Sequence, residues 1–186
     1  LDQPENKAAM AQAVKAYASI FERGCTPPSS VNWLDPDNNV NFHNRTIVMT
    51  HNATISIAAK HLDDSNNPSL TPEQRETAKK NYFERIRHAF WPKKPDGGVL
   101  PNLAAVKTAV AFAQAKNPGR AKELLAFWLK DENLRPFVEG SLGRWYPVTK
   151  SGTQSKFWQA DPHRKAVYNQ FSAGTTPFEF TKNFRF

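Results

Sequence analysis

The chain has 186 residues, 39% of them hydrophobic, so it is long enough to bury a core of its own and reads as globular, with one or two domains expected from length. Lys and Arg number 25 against 17 Asp and Glu, a net charge of +8, but the basic residues are dispersed singly or in pairs (Lys79-Lys80, Arg85 and Arg87, Lys93-Lys94) without aromatic interleaving, which favours a solvated basic surface over a nucleic-acid interface. No run approaches the roughly 20 apolar residues of a membrane helix, and Leu1-Asp2-Gln3-Pro4 lacks the basic stretch followed by an apolar one that opens an export signal.

Asp2-Gln3-Pro4-Glu5 supplies an N-cap with a Glu three residues later; Met10, Ala13, Val14, Tyr17 and Phe21 then share one stripe, and Gly24 sits where a C-terminal cap belongs, which predicts an amphipathic helix. The stretch Cys25 to Asn41, rich in Pro, Ser, Asp and Asn, predicts an irregular connection that either delivers Trp33 to a specific place or covers a core edge. Thr46-Ile47-Val48-Met49-Thr50 has the β-branched content of a short strand, and α/β folds place ligand contacts just past strand ends, so His51 and Asn52 are candidate contacts. Residues 62–71 read as a polar loop. Thr71-Pro72-Glu73-Gln74 is a helix start with a cap, a proline at the first helical position and Gln three residues on; Ala78, Tyr82, Phe83, Ile86 and Phe90 give that helix one apolar face. Trp91 to Gly98 breaks regular structure as a linker does, and the small apolar residues from Ala104 to Ala113 predict a buried strand. Asn117-Pro118 opens a helix whose Ala121, Leu124, Leu125 and Trp128 share a face, which puts Trp128 in the core; a short helix from about Asp131 to Glu139 and a glycine-bounded loop, Gly140 to Gly143, follow.

Catalytic and metal signatures are absent from the spacing. Asp35, Asp37 and Asn39 have the alternation of a calcium loop, but Val40 stands where that loop needs Gly and Thr46 where it needs Glu, which leaves an Asx-type turn. His43, His51, His61, His88 and His163 show no paired i,i+4 spacing, and there is no nucleophile elbow, phosphate loop or dinucleotide fingerprint. The single cysteine, Cys25, cannot form an intrachain disulfide. No cofactor and no metal are expected. What remains is a binding chemistry of aromatic rings and polar side chains, suited to sugars, whose C–H faces pack on rings and whose hydroxyls want planar donors and acceptors. Of the five tryptophans, Trp158 reads as packing, whereas Trp33, Trp91 and Trp145 lie in turns or loops. Gly143 before Trp145-Tyr146 and Pro147 after them fix a turn that limits how the two rings can bury, so both are candidates, with Arg144 as an adjacent cation.

The order of these blocks resembles the C-terminal part of the extracellular solute-binding proteins of ABC importers, the family that includes maltose-binding protein. The residues that carry the likeness are Trp33, the entry Phe42, Asn44, Arg45, Val48 and Met49, then Ala115-Lys116-Asn117-Pro118, Ala126-Phe127-Trp128-Leu129, and Gly140-Ser141-Leu142-Gly143-Arg144-Trp145-Tyr146-Pro147-Val148. The resemblance implies a helix-rich portion of a two-lobed α/β fold, with residues 1–92 from the second lobe, residues 93–148 the hinge crossing and a first-lobe portion, and residues 149–186 a return to the second lobe. It further implies a non-catalytic, periplasmic or cell-surface protein that captures a small polar solute, a sugar or oligosaccharide first, and presents it to the membrane subunits of an ABC permease. Trp145, Asn52, His51, Tyr146, Trp33 and Arg144 are the expected ligand contacts. Relatives of this kind are about twice as long, so the chain reads as a fragment. A carbohydrate-active enzyme, a basic nucleic-acid-binding domain and a fragment that binds nothing are the competing readings. The enzyme would need two carboxylates about 5 to 9.5 Å apart, and Asp35, Asp37 and Asp96 are the sparse acidic residues near the loop aromatics.

Overall fold

The computed structural model describes residues 3–52, 54–104 and 106–177, and they are helix-rich. The chain divides into two compact units, Leu1–Asn52 and Ala53–Phe186.

The first unit opens with helix α1, Pro4–Glu22, as its stripe predicts, with Gln3 at the N-cap position and Pro4 in the first helical position. Its end is set by Gly24 at φ +70°: the Gly24 amide donates to Phe21 O at 2.9 Å and the Cys25 amide to Ile20 O at 3.0 Å, the paired bonds of a Schellman cap. The expected cap at Asp2 lies outside the described residues. The connection from Cys25 onward is more regular than its composition predicts, with a 3-10 turn at Pro28–Asn32 and a helix α2 at Asp37–His43. Asp37 supplies the reason for the second, because its Oδ2 accepts from the Leu34 amide at 2.6 Å and ties the approach to the first turn. Helix α2 absorbs Phe42, and Arg45 at φ +61° closes it with the same paired bonds, Arg45 N to Phe42 O and Thr46 N to Asn41 O. The strand expected over Thr46–Thr50 does not form: Val48 and Met49 are 95% and 84% exposed, and a β-branched run without a neighbouring strand leaves its backbone groups unpaired. No described residue of this unit is buried, so the stripe Met10, Val14, Tyr17 and Phe21 is a surface.

The second unit holds the core: Ile55, then Ile57, Ala58 and Ala59 of helix α3 (Ser56–Asn66), Ala78 of helix α4 (Pro72–Lys80), Tyr82 and Ile86, with Val138, Trp158 and Val167 from later helices. Helix α3 takes over the front of the expected polar loop at 62–71. Helix α4 starts on the predicted capping box, Gln74 N donating to Thr71 Oγ1 at 3.2 Å and Thr71 N to Gln74 Oε1 at 2.9 Å. It widens into a π-helical turn at Asn81–Arg85, and of its expected apolar face Ala78, Tyr82 and Ile86 are buried while Phe83 and Phe90 are exposed. The crossing segment is irregular, as Pro92, Pro95 and the glycines predict, and Gln170 pins it by accepting from the Trp91 amide at 3.0 Å and donating to Leu100 O at 3.1 Å.

Strand β1, Asn102–Ala104, pairs in parallel with β2, Thr175–Pro177, Asn102 opposite Thr175. The long buried strand expected over Ala104–Ala113 is otherwise not formed: among its described residues Val106, Val110 and Phe112 are exposed, because the partner strand is three residues long and Ala-rich sequence has little β preference of its own. Helices α5 (Pro118–Trp128) and α6 (Asp131–Gly140) follow where predicted. The core position expected for Trp128 is not observed. Its ring is 55% exposed and helix α5 has no buried residue, since a shared helical face is covered only where something packs on it. Short helices α7 (Lys150–Thr153) and α8 (Lys156–Gln159) lead into α9, Pro162–Ala173. Trp158 is buried as its packing role requires. The closing stretch Phe178–Phe186 lies outside the described residues. No helix among the described residues is long and apolar enough to cross a membrane.

Candidate functional site

Helix α6 ends in a turn built on two left-handed residues, Leu142 at φ +58° and Gly143 at φ +94°. Glycine at 143 is required twice: its φ is strained for any other residue, and a Cβ there would lie 2.8 Å from Ile55 Cδ1 and 3.1 Å from Arg164 Cγ. The backbone therefore presses onto the buried Ile55 and throws the next three side chains in different directions. Arg144 pairs with Asp63 of α3 through Nη2, while its Nη1 donates to Ser141 O at 3.3 Å. Trp145 turns outward, 44% exposed, with Lys107 Nζ 6.0 Å from its ring centroid and its amide donating to Ser141 Oγ. Tyr146 turns inward, stacked on Phe171 at 4.4 Å with 18° between the rings, and tilted against Trp158 at 4.9 Å. Burial, with Tyr168 adding to it, pushes the Tyr146 phenol up to about 12 against a smaller opposing effect of its hydrogen bond with Ser172. Replacing Gly143 by Ala should cost about 2 kcal/mol or more, from left-handed strain and overpacking against Ile55, read as a lowered urea midpoint without a change in slope.

The other three expected contacts belong to the first unit. Trp33 closes the 3-10 turn, half-buried, its Nε1 donating to Ser29 Oγ at 3.2 Å. His51 is exposed and Asn52 half-buried; both are laid back on α2, His51 O accepting from Asn38 Nδ2 at 3.3 Å and Asn52 Nδ2 donating to Asn39 Oδ1 at 2.7 Å. The six thus fall in three places, Arg144, Trp145 and Tyr146 on one turn, His51 and Asn52 on the irregular segment after α2, and Trp33 at the end of the 3-10 turn.

A polar cluster that the sequence did not announce lies where α9 begins. Asp161 Oδ1 accepts from the His163 and Arg164 amides, both at 3.0 Å, capping the helix, and its Oδ2 accepts from the Tyr82 hydroxyl at 2.7 Å. Burial, the hydrogen bond to Asp161 and its charge together hold the Tyr82 phenol well above its usual range. His163 Nε2 lies 2.6 Å from Tyr82 O, and a carbonyl only accepts, so Nε2 carries the proton. His163 Nδ1 lies 2.8 Å from His88 Nδ1, and in the tautomer pair in which His88 Nδ1–H donates to His163 Nδ1, His88 Nε2 is an acceptor. His88 and His163 line a cavity of about 270 Å³ together with Phe83, Arg87 and Pro162. The readable signal was the Asp161-Pro162 helix start; the partners across the cluster are 75 to 81 residues apart in sequence.

Desolvation first, and His163 second, lower the His88 imidazole to about 4, with Asp161 opposing. The ordinary value of about 6.5 applies in the unfolded chain, which therefore binds the extra proton between about pH 6.5 and 4. The contribution of a neutral His88 to stability is full above about pH 6.5 and is lost as pH falls toward 4. The loss of stability over that window should be visibly smaller in His88→Gln, measured as the difference between the two urea-unfolding pH profiles.

No group of three His, Cys, Asp or Glu among the described residues is placed to hold a metal ion. No curated protein and no solved structure matches the chain. A family model for bacterial extracellular solute-binding proteins matches residues 1–166, nearly the whole chain. This chain therefore belongs to the bacterial extracellular solute-binding proteins.

Proposed function

We propose that the chain captures a small polar solute for ABC-type import, that the solute is a carbohydrate, and that the Gly143–Tyr146 turn supplies the aromatic contact. Family membership supports solute capture outside the cytoplasm and delivery to permease subunits in the membrane, with no bond made or broken. The observation that carries the carbohydrate reading is the exposed Trp145 ring on a turn fixed by Gly143, with Lys107 Nζ 6.0 Å from the ring centroid. A sugar offers such a site a C–H face for the ring and hydroxyls for the cation. Tyr146 then acts by anchoring the turn through Phe171 and Trp158. His51, Asn52 and Trp33 are proposed as further polar and aromatic solute contacts. The proposed arrangement is a two-lobed α/β fold that closes about a hinge, with residues 1–92 and 149–186 assigned to one lobe and residues 93–148 to the crossing and the other.

Calorimetric titration with monosaccharides, oligosaccharides, amino acids and polyamines tests the class. Saturable binding of a sugar is expected; binding confined to amino acids or polyamines would keep solute capture and overturn the carbohydrate assignment.

A further inference from the structure

The cavity beside the paired histidines plays no part in the function proposed above. Arg87 folds its Nη1 back onto Phe83 O at 3.3 Å and Ile86 O at 2.9 Å, which uses one arm of the guanidinium on the backbone and leaves donors on the other. His88 has its Nδ1 committed to His163, so Nε2 is its remaining polar atom. The Phe83 ring, 49% exposed, contributes an apolar face, and Pro162 a second apolar surface. The charged and titratable groups about His88 are Asp161, its partner Arg164 and His163 on α9, and Tyr82 and Arg87 on its own side of the cavity.

The Arg87 donors and, in that tautomer pair, the His88 Nε2 acceptor lie beside an aromatic face and together select among ligands. A carboxylate only accepts, so it would take the Arg87 donors and meet the lone pair of His88 Nε2. An ammonium only donates, and would meet the Arg87 charge. A hydroxyl does both, accepting from Arg87 and donating to His88. The cavity, about 270 Å³, falls just below the roughly 300 Å³ at which pockets for drug-sized molecules begin, so it has room for one small ring and not for a chain of them. We propose that the cavity lined by Phe83, Arg87, His88, Pro162 and His163 is a second binding site, and that it takes a neutral, hydroxyl-rich ring the size of a single sugar residue. The site does not depend on Trp145.

Imidazole carbon–proton NMR spectra of the full chain, titrated at neutral pH with glucose, galactose, mannose and myo-inositol, and with succinate as the anion, test this directly. At least one of the four neutral rings is expected to move the His88 and His163 signals saturably. Arg87→Gln should weaken that response about tenfold or more, the loss of a charge-assisted bond, and His88→Phe should remove it at His163. Trp145→Ala should leave it unchanged, which separates this site from the Trp145 turn. Arg87 is exposed, so its variant keeps the test sound even where a change at His88 disturbs folding. The proposal is overturned by no saturable shift with any of the four rings, by a response to succinate alone, or by a response that follows Trp145 and is indifferent to Arg87.

Discussion

Asp161→Ala is expected to destabilise the chain more than any other single substitution of a polar residue, by about 4 kcal/mol. One carboxylate, 6% exposed, serves three partners: it caps α9 through the His163 and Arg164 amides, takes the Tyr82 hydroxyl, and lies 3.9 Å from Arg164 Nη2. Loss of an N-cap costs about 1 kcal/mol, an unsatisfied buried hydroxyl about 1 to 3, and an arginine stripped of its partner adds to both; because the groups touch, the sum is an upper guide. For a chain of this size about 4 kcal/mol lowers the melting temperature by roughly 10 °C or somewhat more. Asp161→Asn is the informative partner. The amide oxygen in the place of Oδ1 still caps the helix, while the amide nitrogen in the place of Oδ2 donates to the Tyr82 hydroxyl oxygen instead of accepting from it, so its cost should fall to about 1 to 2 kcal/mol. Thermal unfolding of the two variants beside the parent checks both numbers, and equal losses would contradict the assignment of the effect to hydrogen bonding.

Two tryptophans with similar sequence settings should separate sharply. Trp158 is 1% exposed, set edge-on to Phe157 at 5.3 Å and against Tyr146 at 4.9 Å, on a short helix whose start is fixed by Ser155 Oγ accepting from the Phe157 amide. Trp158→Ala should cost about 3 to 5 kcal/mol, through lost burial and the cavity left among those rings. Trp128 is 55% exposed, and Trp128→Ala should stay within about 0.5 kcal/mol. Chemical unfolding of both variants measures the contrast, and a large loss at Trp128 would mean that its face is covered in solution.

That contrast marks what the sequence could and could not disclose. Local chemistry was legible: the capping box at Thr71 and Gln74, the proline start of α5, and Gly24 as the C-terminal cap of α1 all act within a few residues and all stand where they were read. Periodicity located Trp128 on one face of α5 correctly, but it reports which residues share a face and not whether another element covers it. The same limit governs the stripe on α1. Strand readings failed for a related reason, since Thr46–Thr50 and most of Ala104–Ala113 have the residues of strands and lack partners in the described structure. Of the candidate site, the turn was legible because Gly143 and Pro147 constrain it locally; the opposite orientations of Trp145 and Tyr146 were not, as they depend on Ile55, Phe171 and Trp158 from distant segments. The Asp161–Tyr82 and His163–His88 contacts join residues 79 and 75 positions apart, beyond any spacing rule.

Capture of a solute on the exposed Trp145 ring is tested most directly by tryptophan fluorescence during titration with the sugar panel, on the parent chain and on Trp145→Ala. Trp145 is half exposed and makes no core contact of the kind that holds Trp158, so the variant should remain folded. The expected result is a saturable change in the parent that is abolished in the variant, with an unchanged melting temperature in the absence of sugar. A saturable change of equal size and midpoint in both chains, or no change in the parent with any sugar, would contradict it.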